Sequence, residues 1–389
     1  MTYSKRSIRT GIYLVSSLQS GAFAVSAGIS DMARAFPDVP VQLVQMLLTI
    51  PVLIQMPITL MADQITEHFS KKRLLIFACI CFVAGGLVPF FVHVFPVIMA
   101  MRCVYGIGIG LTLPLGASLV TDYFDGEERA NVIGIQTAVG FMGGVFFNYI
   151  GGVLTAVSWE YCFLAYLYGL LVLFVVLRCL PDEGPVHRDA AVSTGARVHV
   201  PVLSVVMALN AMIYMILYFT YVNHISLFVD RTGLGNSVTT GISGAIINLC
   251  GFAGGALFGK MHRRFGNWTL CISLSSAAAG FVLLTNTYAV PTLFAASVLM
   301  GYGNGSFFPV GQNVISAVTD RQAVTLALSI NVALSVIGQF ISLLIFDVVG
   351  ASFGLTDART IMRIGMIGLM VMLAVSVPFA AWLQKKQIR

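Results

Sequence analysis

The sequence predicts an all-α membrane protein with twelve transmembrane helices in two pseudo-symmetric six-helix halves. Three observations predict it. The 389 residues are 58% hydrophobic and only 10% charged, with a mean hydropathy of +0.90. That is too little charge to cover a soluble surface of this size. Apolar runs of about 20 residues recur along the chain, each long enough to cross a bilayer, and none shows the period-two alternation of a β-barrel. Finally, one helix design occurs twice: Gly106, Gly108, Gly110, Pro114 and Gly116 return 195 residues later as Gly301, Gly303, Gly305, Pro309 and Gly311.

In chain order, a short basic tail with Lys5, Arg6 and Arg9 leads into the first apolar run. That run is a full span and not the short core of a cleavable signal peptide. Spans are expected at about 10–30, 41–62, 74–92, 97–121, 131–153 and 160–180, then at about 201–225, 237–259, 268–287, 291–316, 323–347 and 360–384. The stretch Pro181–Val200 is polar and contains proline and glycine, so it reads as a linker between halves 1–180 and 201–389. The seven cysteines, Cys79, Cys81, Cys103, Cys162, Cys179, Cys250 and Cys271, all fall in or at the ends of apolar runs. There they read as small packing residues, with no disulfide framework and no metal spacing.

The net charge of +6 is a matter of topology. With the N-terminus in the cytoplasm, only Arg34, Arg231, Arg359 and Arg363 of the 22 Lys and Arg fall outside, and Arg102 lies within a span. Such a bias orients membrane proteins. It places both termini in the cytoplasm and removes the need for a nucleic-acid partner. Loops repeat as well as helices. Lys71-Lys72 close the loop after span two and Arg263-Arg264 the loop after span eight, and Glu128-Arg129 is matched by Asp320-Arg321. Internal repeats of this kind are a transporter architecture.

Arg102 heads the first glycine ladder, and Ser297 holds the matching place in the second. An arginine inside a span is costly and faces a bundle interior or a wet cavity; glycines let neighbouring backbones approach. Span seven carries Asn210, Tyr214, Tyr218 and Tyr221 at i, i+4, i+8 and i+11, all on one helical face. Buried tyrosines need hydrogen-bond partners or water, so this face reads either as a solute-binding wall or as helix packing. His224, at the end of that span, reads as a solvated boundary histidine. Gly254, Gly259 and Lys260 nearly spell a phosphate-binding loop, but Met261 stands where Ser or Thr must meet magnesium. No cluster of acid, histidine or cysteine supports an enzyme, a cofactor or a metal.

Three stretches make the chain resemble the major facilitator superfamily along its whole length. The loop Glu67-His68-Phe69-Ser70-Lys71-Lys72 resembles the superfamily's signature Gly-x-x-x-Asp-Arg-x-Gly-Arg-Arg, with Asp63 at the first glycine and Glu67 at the aspartate. Arg102-x-x-x-Gly106-x-Gly108 resembles the fourth-span motif of proton-coupled members. Tyr123-Phe124, Arg129-Ala130, Gly151-Gly152 and Trp159 resemble the middle of the first half. The pattern is similar to bacterial multidrug and sugar-efflux permeases, except that Phe147-Asn148-Tyr149-Ile150-Gly151-Gly152 lacks the proline usual in drug antiporters.

The resemblance implies a monomeric secondary transporter of the cell membrane. It would move a small organic substrate, most simply by proton-coupled efflux and alternatively by proton-coupled uptake of a small metabolite. It implies that spans one, four, seven and ten line the transport cavity. Arg102 with Asp31 is then the proton-coupling pair, against the plainer reading that Asp31 pairs with Arg34 at i+3; Asp347 is a second carboxylate to consider. The implied cavity residues are Gln19, Phe23, Tyr105, Asn210, Tyr214, Tyr218, Tyr221, Asn304 and Gln312. The implied cytoplasmic gate is Asp63, Glu67, Lys71, Lys72, Arg129, Arg263 and Arg264.

Overall fold

The computed structural model describes residues 4–182, 184, 200–320, 323–352 and 357–386, with the backbone alone described at Asp63, Ala130, Thr325, 347–349 and 351–352. The described residues are helical and contain no strand. The chain divides into two compact units, Met1–Thr194 and Gly195–Arg389. Most of the expected linker, and Arg321, lie outside the described residues.

In the first unit the spans are Val41–Thr66, Lys71–Phe91, Phe95–Tyr123, Gly126–Thr155 and Trp159–Cys179, preceded by a broken first span. In the second they are Val202–Arg231, Ser237–Phe265, Thr269–Thr285, Val290–Val318, Val324–Ser352 and Ala358–Lys385. Helix starts are written locally: the Ser70 hydroxyl accepts from the Arg73 N–H, Asn236 accepts from Val238 and Thr239, and Asp357 accepts from Thr360. Each side chain satisfies a donor that the first turn leaves open.

Span one is not the single helix expected. It runs as α-helix over Lys5–Ser17, tightens to a 3-10 helix over Leu18–Ala22, and bends by 52° before Ile29–Ala35. Span six likewise opens as a 3-10 helix, Trp159–Leu167. Val290–Val318 is 29 residues long but is not among the stretches apolar enough to pass as a span on composition. Its glycines, Tyr302, Asn304 and Ser306 dilute it, because this helix is built to face protein.

The glycine ladders explain themselves in the packing. Span four lies against spans two and three, and span ten against spans eight and nine. A Cβ on Gly106 would stand 2.8 Å from the Pro51 carbonyl oxygen, and one on Gly108 would stand 2.7 Å from that of Ala78. In the second unit Gly301 and Gly305 abut Ile247 and Gly251, while Gly303 would place a Cβ 2.7 Å from Ala277 N. Glycines at i and i+4 therefore serve one neighbour and the glycine at i+2 serves the other. Gly85 against Met101 and Tyr105 repeats as Gly280 against Ala296 and Met300, again 195 residues on. Both units use one packing scheme, in which close backbone contact supplies the dispersion energy that holds helices together in lipid.

Candidate functional site

The first unit is built around its buried cation. Arg102 is completely buried. Its Nη1 donates to the Tyr166 hydroxyl at 2.7 Å and its Nη2 to the Gly85 carbonyl at 2.8 Å. That carbonyl is free for a physical reason: Pro89 stands four residues later in the same helix and has no N–H to give it. Tyr166, having accepted from Arg102, donates to the Gly21 carbonyl at 2.9 Å, within the 3-10 segment of span one. The guanidinium lies 4.8 Å from the Tyr166 ring centre, 4.9 Å from that of Tyr105 and 5.4 Å from that of Phe163. Aromatic faces attract a desolvated cation. The charge is thus held by π faces, a phenol and an opened carbonyl. Neither Pro89 nor the charge recurs in the second unit, where Leu284 and Ser297 hold those places.

The structure does not bring Asp31 to Arg102. Asp31 is paired with Arg34, one turn along its own helix, while Arg102 Nη1 and Nη2 are engaged by Tyr166 and Gly85 and its Nε is buried with no hydrogen-bond partner among the described residues. Gln19 acts as a tie between helices: its Nε2 donates to the Ile109 carbonyl at 2.9 Å and to Thr112, and its Oε1 accepts from Gln55. Tyr105 is buried in the arginine cage, packed edge-on to Tyr166, and Phe23 is half-buried at a helix start.

In the second unit Tyr214, Tyr218 and Tyr221 of span seven are buried. Tyr214 stacks on Phe307 with ring centres 3.9 Å apart and on Tyr218 at 5.5 Å. Tyr221 shares a hydrogen bond of 2.6 Å with Ser243, which meets Ser297 at 2.7 Å. The hydroxyls of Tyr214 and Tyr218 and the Oδ1 atoms of Asn210, Asn304 and Asn331 are buried with no hydrogen-bond partner among the described residues. A buried polar atom left in that state costs about 1–3 kcal/mol, so a group of them on facing helices marks a place made for a polar guest. Asn331 is not among the cavity residues that the sequence implies. An asparagine within span eleven was its only signal, and packing brings its Nδ2 to 3.9 Å from where a Cβ on Gly311 would stand. Gln312 is exposed and takes no part. His224 is buried, with Nδ1 against the Thr220 carbonyl at 3.0 Å, and is not the solvated histidine expected.

A profile of the Major Facilitator Superfamily matches residues 10–288. The chain belongs to the Major Facilitator Superfamily. It is 26% identical over 151 residues to Multidrug resistance protein 3 of Bacillus subtilis and 29% identical over 125 residues to the MFS-type transporter ppz2 of Metarhizium majus. These alignments take in 38% and 32% of this chain but only 29% and 22% of those proteins. Among solved structures, a bacterial homologue of the human lysosomal transporter Spinster aligns with a TM-score of 0.73 at 16% identity, covering 99% of this chain and 98% of the other. A D-xylose-proton symporter aligns at 0.71 and 16%, over 95% and 96%. The nucleoside transporter NupG aligns at 0.76 and 10%, over 95% and 99%. At these identities the likeness establishes the fold alone, that of a multi-pass helical membrane protein.

The loop that resembles the superfamily's signature is wired within the first unit. Lys71 is paired with Asp122 at the end of span four, Lys72 donates to the Leu177 carbonyl at 2.9 Å, and Arg73 lies 3.7 Å from Asp182. The Ser70 hydroxyl, which donates to Asp182, and then the Arg73 charge hold that carboxyl below the usual aspartate range. Lys5 and Arg9 close on Glu128. Glu67 is exposed and in no ion pair among the described residues. The side chain of Asp63 lies outside the described residues, as does that of Asp347. Arg129, Arg263 and Arg264 are exposed.

Proposed function

We propose that this superfamily member is a secondary active transporter that exports small organic compounds in exchange for protons by alternating access. The observation that carries the reading is the wall of Tyr214, Tyr218, Asn210, Asn304 and Asn331, which offers buried, partnerless polar atoms beside stacked aromatic faces. A solute presenting hydroxyl or N–H donors and a flat apolar face satisfies both features. Export is supported by the partial similarity to Multidrug resistance protein 3. Coupling is assigned to Arg102. An arginine stays protonated, so the titrating group is a carboxylate that meets it in another conformation; Asp31 is the residue proposed, after release from Arg34. Lys71, Lys72, Glu67, Arg129, Arg263 and Arg264 remain the proposed gate, and the cell membrane the proposed location. Uptake of a small metabolite by the same wall is the alternative, and transport direction separates the two.

The test uses inside-out vesicles with an acidified lumen and a pH-sensitive dye. Lipophilic cations, neutral drugs and sugars are added one at a time, to vesicles bearing the wild type or Arg102→Ala. Proton release evoked by a compound and lost in the variant is the expected result. Coupled transport by Arg102→Ala at the wild-type rate overturns the role given to Arg102. Accumulation of solute in whole cells instead of extrusion overturns the direction.

A further inference from the structure

Each unit has basic residues at the end where its second helix turns into its third, but among the described residues only those of the first unit are paired with carboxylates. There, a cavity of about 160 Å³ lined by Lys71 and Lys72 also contains Asp122, and one of about 280 Å³ lined by Arg9 also contains Glu127 and Glu128. The second unit has a larger cavity, about 490 Å³, lined by His262, Arg263, Arg264, Phe265, Gly266, Trp268, Asn313 and Gln384. Among the described residues no carboxylate lines it and neither arginine is in an ion pair. It draws walls from three helices. His262 is fixed against Asn313 of span ten at 3.0 Å. Gln384 of span twelve accepts the Asn267 N–H at 3.1 Å. Gly266 has a φ of +55° and would bring a Cβ to 2.6 Å from Gln384 Oε1, so the loop seats against span twelve only with glycine there.

The bland account of Arg263 and Arg264 is that they face the carbonyl end of their helix, which attracts cations. That account explains two arginines. It explains neither an open cavity with neutral amides on the opposite wall nor the contrast with the first unit. The level of the cavity in the membrane is marked by Trp268 and by Trp382, both partly exposed, with Lys386 4.6 Å from the Trp382 ring centre. Tryptophans and lysines of this kind sit at the headgroup layer.

We propose that this cavity binds the phosphate group of an anionic phospholipid, with Arg263 and Arg264 as the charge-bearing ligands and Asn313 and Gln384 as neutral walls. Guanidinium groups recognise phosphate with paired, charge-assisted hydrogen bonds, and basic pockets beside membrane helices hold anionic headgroups. A soluble phosphoester shares the same chemistry, so the test separates the sources. The full chain in neutral detergent is titrated with phosphatidylglycerol, phosphatidylcholine or glycerol phosphate, and bound molecules are counted by native mass spectrometry. One phosphatidylglycerol is expected to bind first and most tightly, with phosphatidylcholine at least tenfold weaker. Arg263→Gln/Arg264→Gln should weaken phosphatidylglycerol tenfold or more. Arg263→Lys/Arg264→Lys should restore part of it, which shows that the loss is not misfolding, and Arg129→Gln should leave it unchanged. Glycerol phosphate binding as tightly as phosphatidylglycerol, with the same arginine dependence, overturns the lipid as the ligand and makes the site one for soluble phosphoesters. Phosphatidylglycerol binding that ignores the arginines, or that falls equally in Arg129→Gln, overturns the proposal.

Discussion

Pro89 and Arg102 should be energetically coupled, though they lie on different helices and never share a bond. Pro89 leaves the Gly85 carbonyl without its helical donor, and Arg102 Nη2 supplies one at 2.8 Å. Replacing Arg102 by methionine removes that bond and the bond to Tyr166, and leaves the carbonyl buried and unpaired. Two charge-assisted bonds and an orphaned acceptor amount to a loss of about 3–5 kcal/mol. In a Pro89→Ala background the residue at 89 has an N–H that reaches Gly85 within the helix. The orphaned-carbonyl penalty, about 1–3 kcal/mol, then disappears, and Arg102→Met should cost about 2 kcal/mol less than in the wild type. The assay is reversible unfolding of the four proteins in mixed micelles, read as a double-mutant cycle. If the two substitutions add to within about 0.5 kcal/mol, the link between proline, carbonyl and arginine is refuted, and Arg102 is held by Tyr166 and the rings alone.

Three further expectations follow from single contacts. Gly305→Ala drives a Cβ into the Gly251 carbonyl and should lower stability by about 1–3 kcal/mol or more, while Gly311→Ala, whose Cβ would find its nearest atom at 3.7 Å, should be tolerated; thermal unfolding in detergent compares the two. Tyr214→Phe and Tyr218→Phe each delete a buried hydroxyl that has no hydrogen-bond partner among the described residues, so folding should be unchanged or improved by up to about 1 kcal/mol while solute transport falls; unimpaired transport in both would remove these hydroxyls from the site. Asp182 is held below the usual aspartate range by Ser70 and Arg73, so it stabilises the fold fully above the unfolded value of about 4 and loses that contribution as pH falls through its lower folded value. Asp182→Asn should therefore differ from the wild type in melting temperature at pH 6 and converge with it toward pH 3.

The sequence by itself determined the class, the repeat and the residues of interest. Charge scarcity and apolar runs leave no other class. The two glycine ladders state in advance which helix of each half is crowded, because close backbone approach admits no side chain. Arg102 and the tyrosine face of span seven are legible for the same reason: a charge or a row of hydroxyls in lipid must have a protein surrounding. What surrounds them was decided by tertiary structure. The partners of Arg102 are 64 residues away at Tyr166 and 17 away at Gly85, and the carbonyl it uses belongs to glycine, which announces no acceptor in sequence. Asp31 was the natural partner by charge, yet local geometry gave it Arg34 at i+3. Asn331 and Phe307 join the second-half wall only because spans seven, ten and eleven converge. Periodicity fixes which face of a helix is polar. Which helix that face meets depends on packing between segments far apart in the chain, and there a proline's missing N–H matters as much as a charge.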